Sequence, residues 1–519
     1  MASIAAPAPP LPAARIAASP LAVTCIVMLA TFITVLDSTI ANVALPNMQA
    51  SLGAASDTVT WVLTAYIVAA AIATPLTGWL GGKVGRKRLF VLAIGGFVGA
   101  SMLCGLAQSL EQMVFFRLLQ GAAGAFIVPL GQAFLLDAYP REKHGQAMAL
   151  WGMGVMVGPV MGPVLGGWLT DSFDWRWVFY VNLPFGLLAL VGALLMLPET
   201  AKETRKMDLF GFAALGIGIG AMQLMLDRGQ QLDWFSSWEV RGEAAVALTG
   251  LWVFGVHILT GTETILDARM LRDRNLVTSF VFIFLVGLLM VATTALMPPM
   301  LETLYGYPII TTGFVLAPRG FGTMVGMFLV GRLIGRVDAR LLMGTGLSLT
   351  AAALWMMSGF APGMDMQPVI VTGLLQGFGI GLIFVPLSTL AFATIAPSMR
   401  TEAASFFSLL RNLGGSVGVS LAVGILARQT QIAHADIGGG VTPFSIPGAD
   451  PNIARALGTT GDTVLALLNG AVNGQAAMIA YLDVFRMMMW MAIGVLPLMI
   501  FLRSPPPIKG DDATHVAMD

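Results

Sequence analysis

Two charged residues stand where charge is expensive. Asp37 lies about two-thirds along an apolar run at 21–45, and Arg117 lies about one helical turn into another run at 112–137. An ionised carboxylate near the centre of a membrane helix costs about 2.5–3.5 kcal/mol on insertion scales. The packing of an apolar helix does not require that cost. Desolvation raises a carboxyl pKa and a nearby cation lowers it. An Asp that alternates between those surroundings binds and releases a proton. Guanidinium stays charged in proteins, so Arg117 cannot carry the proton. It can set the affinity of Asp37 for one, or compete with a cationic ligand. The plainer alternatives are an Asp paired for helix packing and an Arg that snorkels to the headgroups.

Gly154, Gly158, Gly162 and Gly166 recur at every fourth position, with Pro159, Pro163 and Gly167 among them. A stripe of small residues lets a second helix approach closely. The run at 309–331 offers a counterpart in Gly313, Ala317 and Gly320, with Gly322 and Gly326 nearby. The prolines remove amide donors and bend the helix. Ordinary helix packing has the same geometry. Gly78, Lys83, Gly85, Arg86, Lys87 and Arg88 crowd one short loop. They form either a gate or a topology determinant beside anionic headgroups. Asn42, Gln120 and Gln376 are candidates for lining a substrate cavity. Arg319, Arg411, Asp483 and Arg486 are secondary charged candidates in the second half. Asp483 and Arg486, three residues apart, read as a structural pair on one helix face. The many Met and Phe residues fit an adaptable wall and fit lipid-facing packing equally well.

No nucleophile, base and metal constellation appears, and no glycine-rich nucleotide loop, so neither an enzyme nor an ATP-driven pump is expected. The four histidines lack metal-ligand spacing. Cys25 and Cys104 both fall in apolar runs and read as buried thiols. No cofactor is expected.

The elements that position these residues are set by composition. Of 519 residues, 56% are apolar and 11% charged, with a mean hydropathy of +0.81, whereas soluble chains carry about 25% charged residues. A net charge of zero gives no bulk attraction to nucleic acid. The apolar runs are continuous and about 20 residues long, which predicts helices that span a membrane. Fourteen are expected, the first at 21–45 and the last at 478–502. Lys and Arg in the set of loops that includes both tails outnumber those in the opposite set by about four to one, which predicts cytoplasmic termini. The Pro- and Ala-rich segment 1–20 is expected as a disordered tail, 21–198 as a six-helix half, and 199–276 as two linking helices with flanking loops. Residues 277–502 are expected as a second six-helix half, with an outer loop at 428–476, and 503–519 as a second tail.

An internal repeat supports this division. Arg117-Leu-Leu-Gln120-Gly121 is echoed by Gly373-Leu-Leu-Gln376-Gly377, an offset of 256. Gly78-Trp-Leu-Gly-Gly82-Lys83-Val84 is echoed by Gly331-Arg-Leu-Ile-Gly335-Arg336-Val337, an offset of 253. Two parallel halves about an axis along the membrane normal suit alternating access.

These motifs carry a resemblance. The loop at 78–88 is similar to the signature loop of the major facilitator superfamily. Leu36-Asp37-Ser38-Thr39-Ile40-Ala41-Asn42 resembles the first-span motif of its fourteen-spanner drug:proton antiporters, and Arg117-Leu-Leu-Gln-Gly121 their fourth-span motif. Gly154 to Gly167 resembles their fifth-span antiporter motif, and residues 225–237 and 305–307 are similar to the EmrB type. The resemblance implies an all-α integral membrane protein with the major facilitator fold. It implies a proton-driven exporter of hydrophobic or cationic drugs in a bacterial inner membrane, with a periplasmic adaptor and an outer-membrane channel as partners. It also implies contact between the fifth and tenth spans across the halves. One departure is Gly82, where the family usually carries an Asp that helps latch the closed interface. A dedicated exporter of one metabolite, siderophore or lipid remains an alternative on the same scaffold. A non-transporting receptor leaves Asp37 and Arg117 unexplained.

Overall fold

The computed structural model describes residues 19–55, 58–200, 202, 206–261, 264–440 and 461–502. The expected tails, residues 441–460 and a few loop positions lie outside the described residues. Fourteen helices are long and apolar enough to cross a membrane. They are α1 (Pro20–Leu52), α2 (Trp61–Val84), α3 (Arg86–Leu106), α4 (Leu110–Ala138), α5 (Arg141–Ser172), α6 (Trp177–Met196) and α7 (Leu209–Arg228). The chain continues with α8 (Trp238–Thr260), α9 (Arg274–Thr303), α10 (Ile310–Leu333), α11 (Ala339–Met357), α12 (Met366–Ala393), α13 (Pro397–Gly440) and α14 (Ala466–Phe501).

Apolar length makes these helices, and polar residues start them. Ser109, Asp208, Ser237, Asp273 and Asp338 each accept a backbone N–H in the first turn that follows, satisfying a donor with no partner inside its helix. Gly85 separates α2 from α3 at φ +98°, a conformation that a side chain disfavours.

Two expectations need correction. Cys25 is exposed on the helix surface; Cys104 is buried. The stretch 428–476 is not an extended loop. Helix α13 continues through Gly440, and helix resumes at Gly461 ahead of α14. Over its 44 residues, α13 is about 66 Å long at 1.5 Å per residue, roughly twice a 30 Å hydrocarbon core. His434 of one extension meets Asn469 of the other at 3.0 Å. Ala and Gln in both extensions, and Leu in the second, favour helix. The prolines of this stretch, Pro443, Pro447 and Pro451, all fall at 441–460.

Helix α1 packs on α4, α5 and α6, and α2 on α4. The second set repeats the plan, with α9 on α13 and α10 on α12. Helices α7 and α8 pack on each other, and α7 also lies on α2. Between the sets, α5 runs along α10.

At the end of the bundle that holds the basic loops, polar contacts tie the two sets together. Arg400 Nη1 donates to Leu136 O at 3.0 Å and Asp137 Oδ1 at 2.8 Å. Arg86 Nη1 donates to Asp137 Oδ2 at 2.5 Å, and its Nη2 to Pro397 O at 3.4 Å. Gly82 lines a cavity of about 870 Å³ there, with Lys83, Arg86, Asp137 and Glu402. With glycine at 82, Asp137 is the acid at this junction that an arginine from each set holds.

Gly78 abuts Glu402, so that a Cβ at 78 would lie 3.1 Å from Glu402 Cβ, a few tenths of an ångström short of the usual disulfide spacing of about 3.5–4.5 Å. In a background with Cys25 and Cys104 replaced by serine, Gly78→Cys with Glu402→Cys is expected to crosslink on mild oxidation, read as a shift in gel mobility, and to halt transport until reduced. A pair that resists oxidation would contradict this closed junction.

Candidate functional site

Asp37 sits on α1 in the run Val35-Leu36-Asp37-Ser38-Thr39. Ser38 and Thr39 turn their hydroxyls back to backbone carbonyls at Val35 and Leu36, so neither competes for the carboxylate. Asp37 is fully buried. Three side chains from two other helices close on it. Arg117 Nη1 of α4 donates to Oδ2 at 2.6 Å. Gln120 Nε2, one turn further along α4, donates to Oδ1 at 2.8 Å, and Asn182 Nδ2 of α6 to the same oxygen at 2.9 Å.

Arg117 is 1% exposed and held on several sides. Its Nε donates to Val62 O at 3.0 Å, and Nη1 also reaches Gln120 Oε1 at 2.7 Å. Its guanidinium lies 4.4 Å from the centre of the Tyr66 ring, a cation–π contact strengthened by burial. Gly121 leaves α4 no side chain against the Tyr66 backbone, which brings α2 close enough for that ring. A buried ion pair survives only when its remaining hydrogen-bonding capacity is satisfied. Among the side-chain oxygens of Asp37, Gln120 and Asn182, only Asn182 Oδ1 lacks a partner.

Each partner of Asp37 is a donor, and both carboxylate oxygens are used. The cluster therefore offers the carboxylate three hydrogen bonds. A proton on Asp37 would need an acceptor, and Asn182 Oδ1 is an unused one beside it.

The other candidates disperse. Gln120 is part of the Asp37 cluster and fully buried, so the expectation that it lines an open cavity is corrected. Asn42 is exposed and donates to Ser38 O at 2.9 Å within α1. Gln376 is buried on α12 and donates to Thr293 Oγ1 at 3.1 Å. Lys83 lies 4.7 Å from the Trp79 ring centre, and Lys87 is half-buried at the start of α3. Asp483 and Arg486 pair at 3.5 Å on an exposed face of α14. Arg319 donates to Thr294 Oγ1 at 2.6 Å and Met290 O at 2.9 Å.

The glycine stripe faces α1, not α10. Atoms missing from Gly154, Gly158, Gly162 and Gly166 would strike Met28, Val35 and Leu36, Thr39, and Ile40 with Val43. Helix α5 meets α10 through the intervening Val160 and Val164, for which Gly320 and Gly313 leave room. Both contacts are close, but the small residues are on opposite partners. Pro159 and Pro163 stay within one continuous helix. The stripe thus presses on the stretch of α1 that carries Asp37. Sequence reasoning misses Asn182, Tyr66 and Ser101, which accepts from Asn182 at 3.0 Å. A lone Asn in the apolar run 177–198 is the available signal.

A model of the Major Facilitator Superfamily matches residues 27–419. The chain is 35% identical over 486 residues to the multidrug export protein EmrB of Escherichia coli, covering 92% of this chain and 94% of that one. It is 35% identical over 482 residues to the fatty acid resistance protein FarB of Neisseria gonorrhoeae, covering 92% and 95%. The crystal structure of the human organic anion transporter MFSD10 superposes with a TM-score of 0.61 at 16% identity, over 91% of this chain and 99% of that one, a likeness of fold.

Gly162→Ala places a methyl group into Thr39, whereas Gly167 has nothing within 4 Å of an added Cβ. Overpacking of this kind costs about 1–3 kcal/mol. Gly162→Ala is expected to lower the unfolding temperature in detergent and to cut transport severalfold, with Gly167→Ala unchanged in both. Equal behaviour of the two variants would contradict the assignment of the stripe to α1.

Proposed function

This chain belongs to the major facilitator superfamily, and on that premise we propose that it exports hydrophobic drugs, cationic ones included, in exchange for protons. The observation that carries the reading is the buried Asp37, whose partners are all donors. Protonation of Asp37 removes the charge that holds Arg117, and the carboxyl can then donate to Asn182 Oδ1. Arg117 keeps Val62 O, Gln120 Oε1 and the Tyr66 ring. The contact between α4 and α1 loosens while that between α4 and α2 persists, and α1 is free to move against α5. Deprotonation rebuilds the three-helix clamp. One pH unit supplies about 1.4 kcal/mol per proton, and 100 mV about 2.3 kcal/mol per charge, enough to work against a drug gradient.

The bias of Lys and Arg toward one set of loops supports cytoplasmic termini in a bacterial inner membrane. The paired helical extensions at 428–440 and 461–476 then face outward, where a periplasmic adaptor and an outer-membrane channel would complete an export path. A second reading, a dedicated exporter of a lipophilic metabolite, is favoured by the fatty-acid resistance that names the FarB relative.

In proteoliposomes with an imposed pH gradient, wild type is expected to move ethidium only while the gradient lasts. Asp37→Asn is expected to lose at least 90% of that gradient-driven flux at equal folded yield. Undiminished flux in the variant would sink the role given to Asp37, and gradient-independent flux in wild type would sink proton coupling.

A further inference from the structure

The repeat relates the Asp37 site to a second site with different charge. The offset of 256 that carries Gln120 to Gln376 also carries Asp37 to Thr293 and Arg117 to Gly373. The contact is retained as well as the register. Gln120 bonds Asp37 in the first set, and Gln376 bonds Thr293 in the second, at 3.1 Å. The offset of 253 carries Tyr66 to Arg319, and Gly377 meets the Arg319 carbonyl as Gly121 meets that of Tyr66. The second set therefore has an arginine on α10 in place of the tyrosine, and a threonine where the first has its acid.

Among the described residues Arg319 consequently has no counter-ion. Among the described residues no carboxylate lies within salt-bridge distance of it, and none reaches Arg411. Arg411 lies on α13 where its backbone packs against Gly287 of α9. The Arg319 contact at Met290 to Thr294 is about one and a half turns further along α9. Arg319 uses two bonds of the five N–H groups that a guanidinium offers. Gln376 Oε1, buried nearby on α12, has no partner.

The direction of the Arg319 side chain rules out a simple lipid anchor. Phe314, Phe321 and Phe328 are the exposed face of α10, and Arg319 leaves the helix about 150° away from them. Its guanidinium rests on the flank of α9 that carries Thr294. That flank is about 150° round α9 from Leu289, Ala292 and Leu296, which pack in one cluster with Tyr481 and Phe485 of α14. Thr294 is exposed, so the bound guanidinium opens inward between the two sets. An unpaired cation at this depth is costly, and a substrate anion would relieve that cost.

We infer that Arg319 forms a binding site for the headgroup of a lipophilic monoanion such as a carboxylate or sulfonate. The site rests on the export reading above and gives it a substrate class. The halves divide the work. The first set keeps its arginine paired with Asp37, and the second leaves Arg319 for the substrate. A cationic drug would make no use of this contact.

The test titrates octanesulfonate, and octyltrimethylammonium of matched chain length, into the purified full chain in nonionic detergent by calorimetry. The anion is expected to bind at least tenfold tighter than the cation. Arg319→Gln should weaken the anion at least tenfold and leave the cation within twofold, while Arg319→Lys, which keeps the charge, should recover part of the loss. Equal binding of the two ions, or equal weakening of both in Arg319→Gln, overturns the proposal. Excess phosphatidylglycerol should leave the anion titration unchanged; displacement by that lipid reassigns the site to a bilayer headgroup and also overturns it. Gradient-driven ethidium flux in proteoliposomes reads the export function separately, so its absence in wild type would count against export without deciding anion binding.

Discussion

The energetic constraint on the first six helices is the burial of one carboxylate. Asp37 is fully buried, and Arg117, Gln120 and Asn182 each donate to its carboxylate. Breaking a buried pair by removing one partner costs about 3–5 kcal/mol, so α1, α4 and α6 must hold their relative positions within hydrogen-bond reach. Much of the surrounding architecture serves that fit. Gly121 admits α2 and its Tyr66 ring beneath Arg117, and Gly158 and Gly162 admit α5 against the α1 segment on either side of Asp37. The same closeness makes the cluster responsive, because one proton weakens the strongest bond that joins α1 to α4.

The two sets share a scaffold but not an electrostatic design. At positions related by the repeat, one has an acid with an arginine and the other a threonine with a glycine, and the second has placed its arginine on a different helix. A transporter that couples two solutes benefits from such inequality. A site that titrates and a site that recognises a ligand can then sit in separate rigid bodies, and the motion between them carries the coupling. Their closure at the basic end is also shared. Asp137 from the first set takes Arg86 from its own set and Arg400 from the other, doing with one acid what glycine at position 82 cannot.

Much of this is legible in the sequence because a membrane restricts the choices. Continuous apolar runs admit only helices, so the number and approximate place of the spans follow from hydropathy. The cost of charge in lipid singles out Asp37 and Arg117 by residue type and position alone. Orientation within a helix pair is less legible. A stripe at every fourth residue states that something packs closely, and cannot say which neighbour does; α1 rather than α10 lies there because α10 brings its own small residues to meet Val160 and Val164. Gln120 reads as a cavity residue since polarity alone does not separate a residue facing water from one satisfying a buried ion. Asn182 escapes notice for a related reason, being neutral and therefore cheap enough in an apolar run to draw no attention. The helical extensions at 428–440 and 461–476 are hidden because they carry glycines of their own, Gly438 to Gly440 and Gly461, Gly470 and Gly474, on either side of a centre that holds three prolines.

Competition between drug and proton for a state controlled by Asp37 is the central claim, and proton release on drug binding measures it most directly. Wild type and Asp37→Asn would be purified in weakly buffered detergent and titrated with ethidium from about pH 5 to about pH 9, a window wide enough to include a shifted carboxyl, with released protons followed by a pH-sensitive dye. The account predicts release from wild type over part of that range and none from Asp37→Asn, although the variant still binds ethidium. Equal release from both proteins, or drug binding to wild type without release at any pH, would contradict it.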